Sequence, residues 1–209
     1  MKKIFYFILI SMLTSKVFAK DVIVTIKPGT DYNKQRAPQI AVWISDSEGK
    51  KVTTLYVTQR AAKKNWIGFP KNGRPESLPV WYSVSGVNSS ESRQKKSDSN
   101  CLDVISSATP KGGLVFSASY DFEENVEYYI YVELNKSFDY NDYFTKKNSG
   151  VNGQPSIIYG AKLDAHSQKE NLMLLGTGST DGSDGKIHHD ENKLTSAKNI
   201  ADTISVETK

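Results

Sequence analysis

The chain has 209 residues, 38% of them hydrophobic and 24% charged, with 27 basic and 23 acidic side chains. That apolar content supports a sizeable core, and a single cysteine excludes an internal disulfide. Taking Lys2, Lys3 and Lys16 from the basic count leaves 24 against 23 beyond residue 19, a balance that gives no support to nucleic-acid binding.

The first 19 residues read as a secretory leader. Lys2 and Lys3 open it, an apolar run extends from Ile4 to Leu13, and Val17 and Ala19 are the small residues at −3 and −1. The run is shorter than the ~20 apolar residues that span a bilayer. Residue 20 is lysine, so a lipid anchor on cysteine is not expected. The expectation is a signal peptide over 1–19, cleavage after Ala19, and a single domain over 20–209 exported to the periplasm. No later apolar run predicts a transmembrane segment.

Beyond the leader, strand patterns dominate. "DVIVTI" and "QIAVWIS" alternate, with Ile40, Val42 and Ile44 on one face and Ala41 and Trp43 on the other. The turn cluster "SDSEGK" and then "VTTLYVT" predict a hairpin. "TQRAAKKNW" suggests one or two helical turns. Residues 88–100, "NSSESRQKKSDSN", contain no apolar residue and read as a loop.

The next stretch, "CLDVISSATPKGG", sets Cys101 and Asp103 before small hydroxyl residues and a proline–glycine stop. Taken by itself it is a polar turn feeding the strand "LVFSASY", with Asp103 bonding turn amides. Cys101 beside Leu102 reads as a small buried hydrophobe. "LVFSASY" is expected to pair across "DFEENVE" with the clearest strand, "VEYYIYVEL". In that strand Val126, Tyr128, Ile130, Val132 and Leu134 should meet the core, while Glu127, Tyr129, Tyr131 and Glu133 should meet water.

"SFDYNDYF" is acidic and aromatic enough to be a displayed loop, which makes Phe138, Tyr140 and Tyr143 candidate ligand contacts. Trp43, Trp66 and Trp81 read as core or sheet-face residues. "PSIIYGAKL", "ENLMLLG" and "TISVET" supply further strands, and "LTSAKNIAD" predicts a short helix capped by Thr195 or Ser196. Short antiparallel strands with polar turns and little helix predict an all-β antiparallel β-sandwich with long polar loops and one or two short helices.

The loop over residues 176–191 fits neither a metal nor a phosphate motif. Reading Thr180 as position 1 of a calcium loop puts Asp184 at 5, Gly185 at 6 and Glu191 at 12. Positions 1 and 3 then lack carboxylates, so calcium is disfavoured. His188 and His189 are adjacent, lack zinc-protease spacing, and predict no metal site. "GTGSTD" has Asp181 where a dinucleotide loop needs glycine, and "GK" lacks the rest of a phosphate loop. No nucleophile–base–orienter set can be assembled, so catalytic residues are not assigned.

Several phrases occur together and in order: "IAVWISDSEGKKVTTLYVT", "RPESLPVW", "LDVISSATPKG", "VELNKSFDYND" and "DGSDGKI". They resemble the bacterial exported proteins grouped as domain of unknown function family 2271. The resemblance implies a periplasmic, β-rich protein with an immunoglobulin-like sandwich, found near membrane flavin and iron redox components. Within it, Asp103, Ser106, Ala108 and Thr109 resemble the acceptor motif of covalent FMN-binding domains, in which a flavin transferase joins the FMN phosphate to the last hydroxyl. Ser107 stands where glycine is usual and Pro110 comes immediately after Thr109, two departures from that motif. Two functions are therefore carried forward. One is an accessory module of a membrane redox or metal-uptake system, carrying FMN on Thr109 for electron transfer. The other is a cofactor-free binding sandwich for a sugar, a peptide or a protein partner.

Overall fold

The computed structural model describes residues 16–34, 36–50, 52–63, 74–86, 105–107, 110–165 and 169–209. Ten strands run in chain order: β1 Val17–Pro28, β2 Gln39–Asp46, β3 Val52–Thr58, β4 Ile105–Ser107, β5 Leu114–Glu123, β6 Tyr128–Asn135, β7 Ile157–Leu163, β8 Glu170–Asn171, β9 Met173–Thr177 and β10 Ala201–Thr208. They form a four-stranded sheet, β5-β1-β10-β8, and a six-stranded sheet, β4-β3-β2-β6-β7-β9. Every pairing is antiparallel except β3 with β4. The all-β sandwich predicted by the alternation is the fold.

Its core arises from that alternation. Val22, Val24 and Ile26 of β1 and Ile204 and Val206 of β10 point inward from one sheet. Opposite them, Ile40, Val42 and Ile44 of β2 sit beside Leu134, Val132 and Ile130 of β6 in register, all without solvent contact. Each such aliphatic side chain contributes ~1.5–3 kcal/mol by leaving water. The β2–β3 turn is closed by Asp46, whose Oδ1 accepts the N–H groups of Glu48 (3.2 Å) and Lys50 (2.8 Å), and by Gly49 at φ 69°. The predicted hairpin is present.

Two expectations are corrected. β5 pairs with β1 and not with β6; the turn at Glu124–Glu127 carries the chain from one sheet to the other. The reason is visible in the aromatics: Phe122 and Tyr128 both face inward and meet edge to face at 5.3 Å. A hairpin within one sheet would not set them across the sandwich. The second correction concerns the outer face of β6. Ala41, Trp43, Ile158 and Glu133 are buried there, and Tyr131 stacks on Trp43 at 5.3 Å. Water does not reach Glu133, whereas Glu127 is exposed and Tyr129 and Tyr131 are half-buried.

The cover over Glu133 is a helix the sequence reading did not anticipate. Three short helices are described: α1 Gln59–Lys63, α2 Pro79–Val84 and α3 Lys146–Ser149. α2 opens on Pro79, which suits a first helical position because its missing N–H has no helical partner to lose. It buries Val80 and Trp81 against the sheet. Trp81 Nε1 donates to Thr54 Oγ1 at 3.0 Å, and the Tyr82 hydroxyl donates to the Ala61 carbonyl at 2.9 Å. "TQRAAKKNW" yields α1, as predicted, over its described part. "LTSAKNIAD" makes only a 3-10 turn, Ser196–Asn199, and no side-chain cap forms at Thr195. The Thr195 N–H is instead drawn to Gln154 Oε1 at 2.7 Å.

Ile130 touches no solvent and lies on the inner face of β6, in register with Ile44. Ile130→Asp should cost ~4 kcal/mol or more, since a buried carboxylate without a partner offsets much of a domain's net stability. Thermal unfolding monitored by circular dichroism measures this; an unchanged melting temperature would contradict the inward assignment.

Candidate functional site

β1, β3, β6 and β9 all end at one end of the sandwich, so their loops gather there. The β6–β7 connection, residues 136–156, carries the predicted aromatic loop. It is a built structure. The Phe138 N–H donates to the Val151 carbonyl (2.8 Å), that of Asp139 to Asn152 (3.2 Å), and that of Gln154 back to Asp139 (2.8 Å). Gly153 makes this closure possible: it sits at φ 77°, and a Cβ there would lie 2.5 Å from the Asp139 carbonyl. Only glycine fits.

Further along, Asn141 Oδ1 accepts the N–H groups of Tyr143 (3.0 Å) and Phe144 (2.8 Å), an Asx turn, while its amide donates to the Lys193 carbonyl at 2.9 Å. Asn148 Oδ1 accepts from the Thr145 N–H at 2.7 Å, and the Asn148 amide donates to the Tyr143 carbonyl at 2.7 Å. The backbone under the three aromatics is thus fixed by side chains that the sequence spends on turns.

On this frame Phe138 is 36% exposed, Tyr140 36% and Tyr143 62%. Phe138 adopts φ 65°, a left-handed conformation that bulky residues rarely take. Phe138 and Tyr140 meet edge to face at 6.5 Å, and the Tyr140 hydroxyl donates to the Gly150 carbonyl at 2.8 Å. Tyr143 stands on the next turn and is the most exposed of the three. Sequence reasoning missed Arg36, whose guanidinium lies 4.5 Å from the Phe138 ring centroid, a cation–π contact from the β1–β2 loop. No spacing in the sequence links positions 36 and 138.

Arg74 was also missed. It is 1% exposed, and it ties the aromatic loop to its neighbours. Its Nε donates to Glu76 at 2.9 Å, Nη1 donates to Ser137 Oγ at 2.7 Å, and Nη2 donates to Asn152 Oδ1. Asn152 in turn donates to the carbonyls of Glu76 (2.5 Å) and Thr180 (3.3 Å). Three segments far apart in sequence meet on two polar side chains.

The loop over 176–191 clasps α2. A Cβ on Gly182 would lie 2.8 Å from the Glu76 nitrogen, and one on Gly185 would lie 2.0 Å from Ser83, so glycine permits the close approach. Asp181 accepts the Ser183 N–H at 2.9 Å, and Asp184 accepts the Lys186 N–H at 3.1 Å and lies 3.0 Å from His188 Nε2. Hydrogen bonds from Ser183 and from His188, respectively, hold these two carboxyls below their usual range. Their oxygens serve the turn. Among the described residues no three His, Cys, Asp or Glu side chains converge as metal ligands.

Of the residues resembling a flavin acceptor, Asp103, Ala108 and Thr109 lie outside the described residues. Ser106 falls on β4, whose backbone pairs in parallel with Val57 of β3, where the sequence reading expected a turn. Past Thr109 the chain is pinned: the Asn33 amide donates to the Lys111 carbonyl, and Gly113 at φ 87° passes against Ile26. Among the described residues no helix is long and apolar enough to cross a membrane.

Beneath α2 lies the most unusual group, Glu133, with no solvent exposure. Its carboxylate accepts from Ser156 Oγ (2.6 Å), the Trp81 N–H (2.8 Å) and the Val80 N–H (3.3 Å). Burial pushes its pKa up to about 7, against the lowering pull of those three donors. Between the unfolded value near 4.5 and that of about 7, the folded chain holds a proton the unfolded chain lacks. Stability from this group is therefore full below pH ~4.5 and is lost as pH rises toward 7, by roughly 3 kcal/mol in all. Glu133→Gln keeps an acceptor for the Trp81 N–H and reverses the bond with Ser156, the amide now donating to Oγ. The wild-type-minus-Gln stability difference, measured by urea unfolding, should fall between pH 5 and 7.5; a flat difference would contradict the burial argument. No protein-family model matches the chain, and no curated protein or solved structure matches it either.

Proposed function

We propose that the chain is an exported, non-catalytic binding module that meets a protein partner through the aromatic loop at one end of the sandwich. The observation that carries this is the display of Phe138, Tyr140 and Tyr143 on a backbone fixed by Asn141, Asn148 and Gly153. Large aromatics left in water on a rigid loop lose little conformational freedom on binding, which favours association. Tyrosine and arginine are enriched at interface hot spots, and Arg36 completes the patch. The leader supports export to the periplasm, and the family resemblance points to a membrane redox or metal-uptake protein as the partner.

A second reading, covalent FMN on Thr109 added by a flavin transferase, draws support from one contact. The β1–β2 loop holds Lys111 through Asn33 and the aromatic patch through Arg36, so the residues just after Thr109 leave from the aromatic end. A flavin carried there would lie within reach of any partner held by the loop.

The test is capture from native periplasm by cross-linking, with the bound partner identified by mass spectrometry. Tyr143→Ala should leave the melting temperature unchanged and weaken partner binding at least tenfold, about 1.4 kcal/mol. Unaltered binding by Tyr143→Ala and Phe138→Ala together would refute the aromatic loop as the contact, and glycan or peptide arrays separate the sugar and peptide alternatives. Intact mass of the wild-type protein decides the flavin: a gain of one FMN that Thr109→Ala abolishes supports it, and an unmodified mass from the native compartment refutes it.

A further inference from the structure

At the other end of the sandwich, the last residues of the leader are part of the fold. Val17, Phe18 and Ala19 pair with Glu123, Phe122 and Asp121 of β5, and the Lys16 carbonyl accepts the Glu124 N–H at 2.9 Å. Among the described residues this stretch has β5 as its only partner strand, since β10 joins β1 from Val22 onward. Phe18 faces inward and stacks on Phe122 at 6.3 Å, over a nest in which Tyr120, Phe122 and Tyr128 meet edge to face within 5.0–5.4 Å. Beside Phe18 opens a cleft of about 470 Å³, within the range of ligand sites. Among the described residues its lining carries Glu123, Glu124, Glu127 and Asp164 with one lysine, Lys162, which is paired with Glu127.

We propose that leader removal uncovers a peptide-docking ledge here, and that the mature chain uses it to take an extended segment with an aromatic residue two places after a lysine. This rests on cleavage after Ala19. Hydrolysis by a signal peptidase adds water across the Ala19–Lys20 bond, leaving a carboxylate on Ala19 and an ammonium on Lys20. Lys16–Ala19 then departs. Departure strips the β5 backbone from Asp121 to Glu124 of its partner strand and exposes the face of Phe122 that Phe18 covered.

The occupant's chemistry is set by what leaves and what stays. Strand addition restores the backbone hydrogen bonds, as in other β-augmentation sites. The aromatic nest selects a ring at the position of Phe18. The acidic rim complements a lysine such as Lys16, which stands two places before Phe18 in the segment that leaves. The ledge and the aromatic loop lie at opposite ends of β6, eight residues and ~26 Å apart, so they act as separate contacts.

The probe is an acetylated peptide of the sequence Thr14–Ala19, titrated against mature protein purified from periplasm after intact mass has read its first residue. A Lys20 start with saturable binding, weakened at least tenfold when the peptide's phenylalanine is alanine, is the expected result. Glu124→Lys should weaken binding several-fold and flatten its salt dependence, while Tyr143→Ala should leave it unchanged. Full-length precursor made without export should bind at least tenfold more weakly, because its own segment fills the ledge. A Lys20 start without binding, or binding indifferent to the phenylalanine, overturns the ledge while leaving export intact. A mature chain that retains Phe18 overturns the premise. Binding lost in Tyr143→Ala moves the peptide to the aromatic loop and also overturns the proposal.

Discussion

The outer face of the six-stranded sheet depends on one buried carboxylate. Glu133 has no route to water, and an ionised group so placed is costly unless donors surround it. Two of its donors are the first free N–H groups of α2, which otherwise lack partners in so short a helix. Each solves the other's problem. The helix is held against the sheet by its hydrogen bonds to the carboxyl group, and Trp81 and Leu78 are buried in the apolar layer on that face. Ser156, the third donor, brings in the start of β7, and Gly178 packs close enough that a Cβ would lie 3.2 Å from the same carboxylate.

From that junction the polar frame spreads toward the displayed loop. Arg74 precedes α2, so fixing the helix also fixes the guanidinium that reaches Ser137 and Asn152. Asn152 then holds the Thr180 carbonyl, and Gly182 and Gly185 let the 176–191 loop close over α2. Many of the buried polar groups at this end are satisfied by side chains from another segment, as buried polar atoms generally require. The consequence is a rigid platform. Phe138, Tyr140 and Tyr143 are exposed because the hydrogen-bonded backbone beneath them has no freedom to fold them inward.

The sheet interior was legible in the sequence because its signal is local. Ile40, Val42 and Ile44, and Tyr128 to Leu134, alternate at the period a strand imposes, and both sets are buried as the alternation requires. What failed was long-range. Glu133 alternates with Leu134 like any water-facing residue, and nothing in β6 announces that α2 covers it. α2 itself is an apolar run, "PVWYSV", too short to show helical periodicity, with only Pro79 as a start signal. The partner of β5 depended on whether the turn at 124–127 kept the chain in one sheet. Alternation does not answer that. The aromatic loop was found from composition, whereas Arg36 and Arg74 reach it through the fold.

The two ends of the sandwich differ in how much of the core they use. Val22, Val24 and Ile26 of β1 are paired on both sides, by β5 and by β10, and none is more than marginally exposed. Val17–Ala19 are paired on one side only, and of these only Phe18 packs on the core. Deleting the second set removes an edge and leaves the central pairing intact, so Val17–Ala19 matter less to the sandwich than Val24 does. An edge that can be given up is also an edge that can be refilled, since the same unpaired backbone that makes strand ends sticky makes them binding sites. The aromatic end has no such tolerance, because Arg74, Asn152 and Glu133 bind it into the layer beneath. One end of the molecule is therefore a fixed surface, and the other a strand position whose occupant can change.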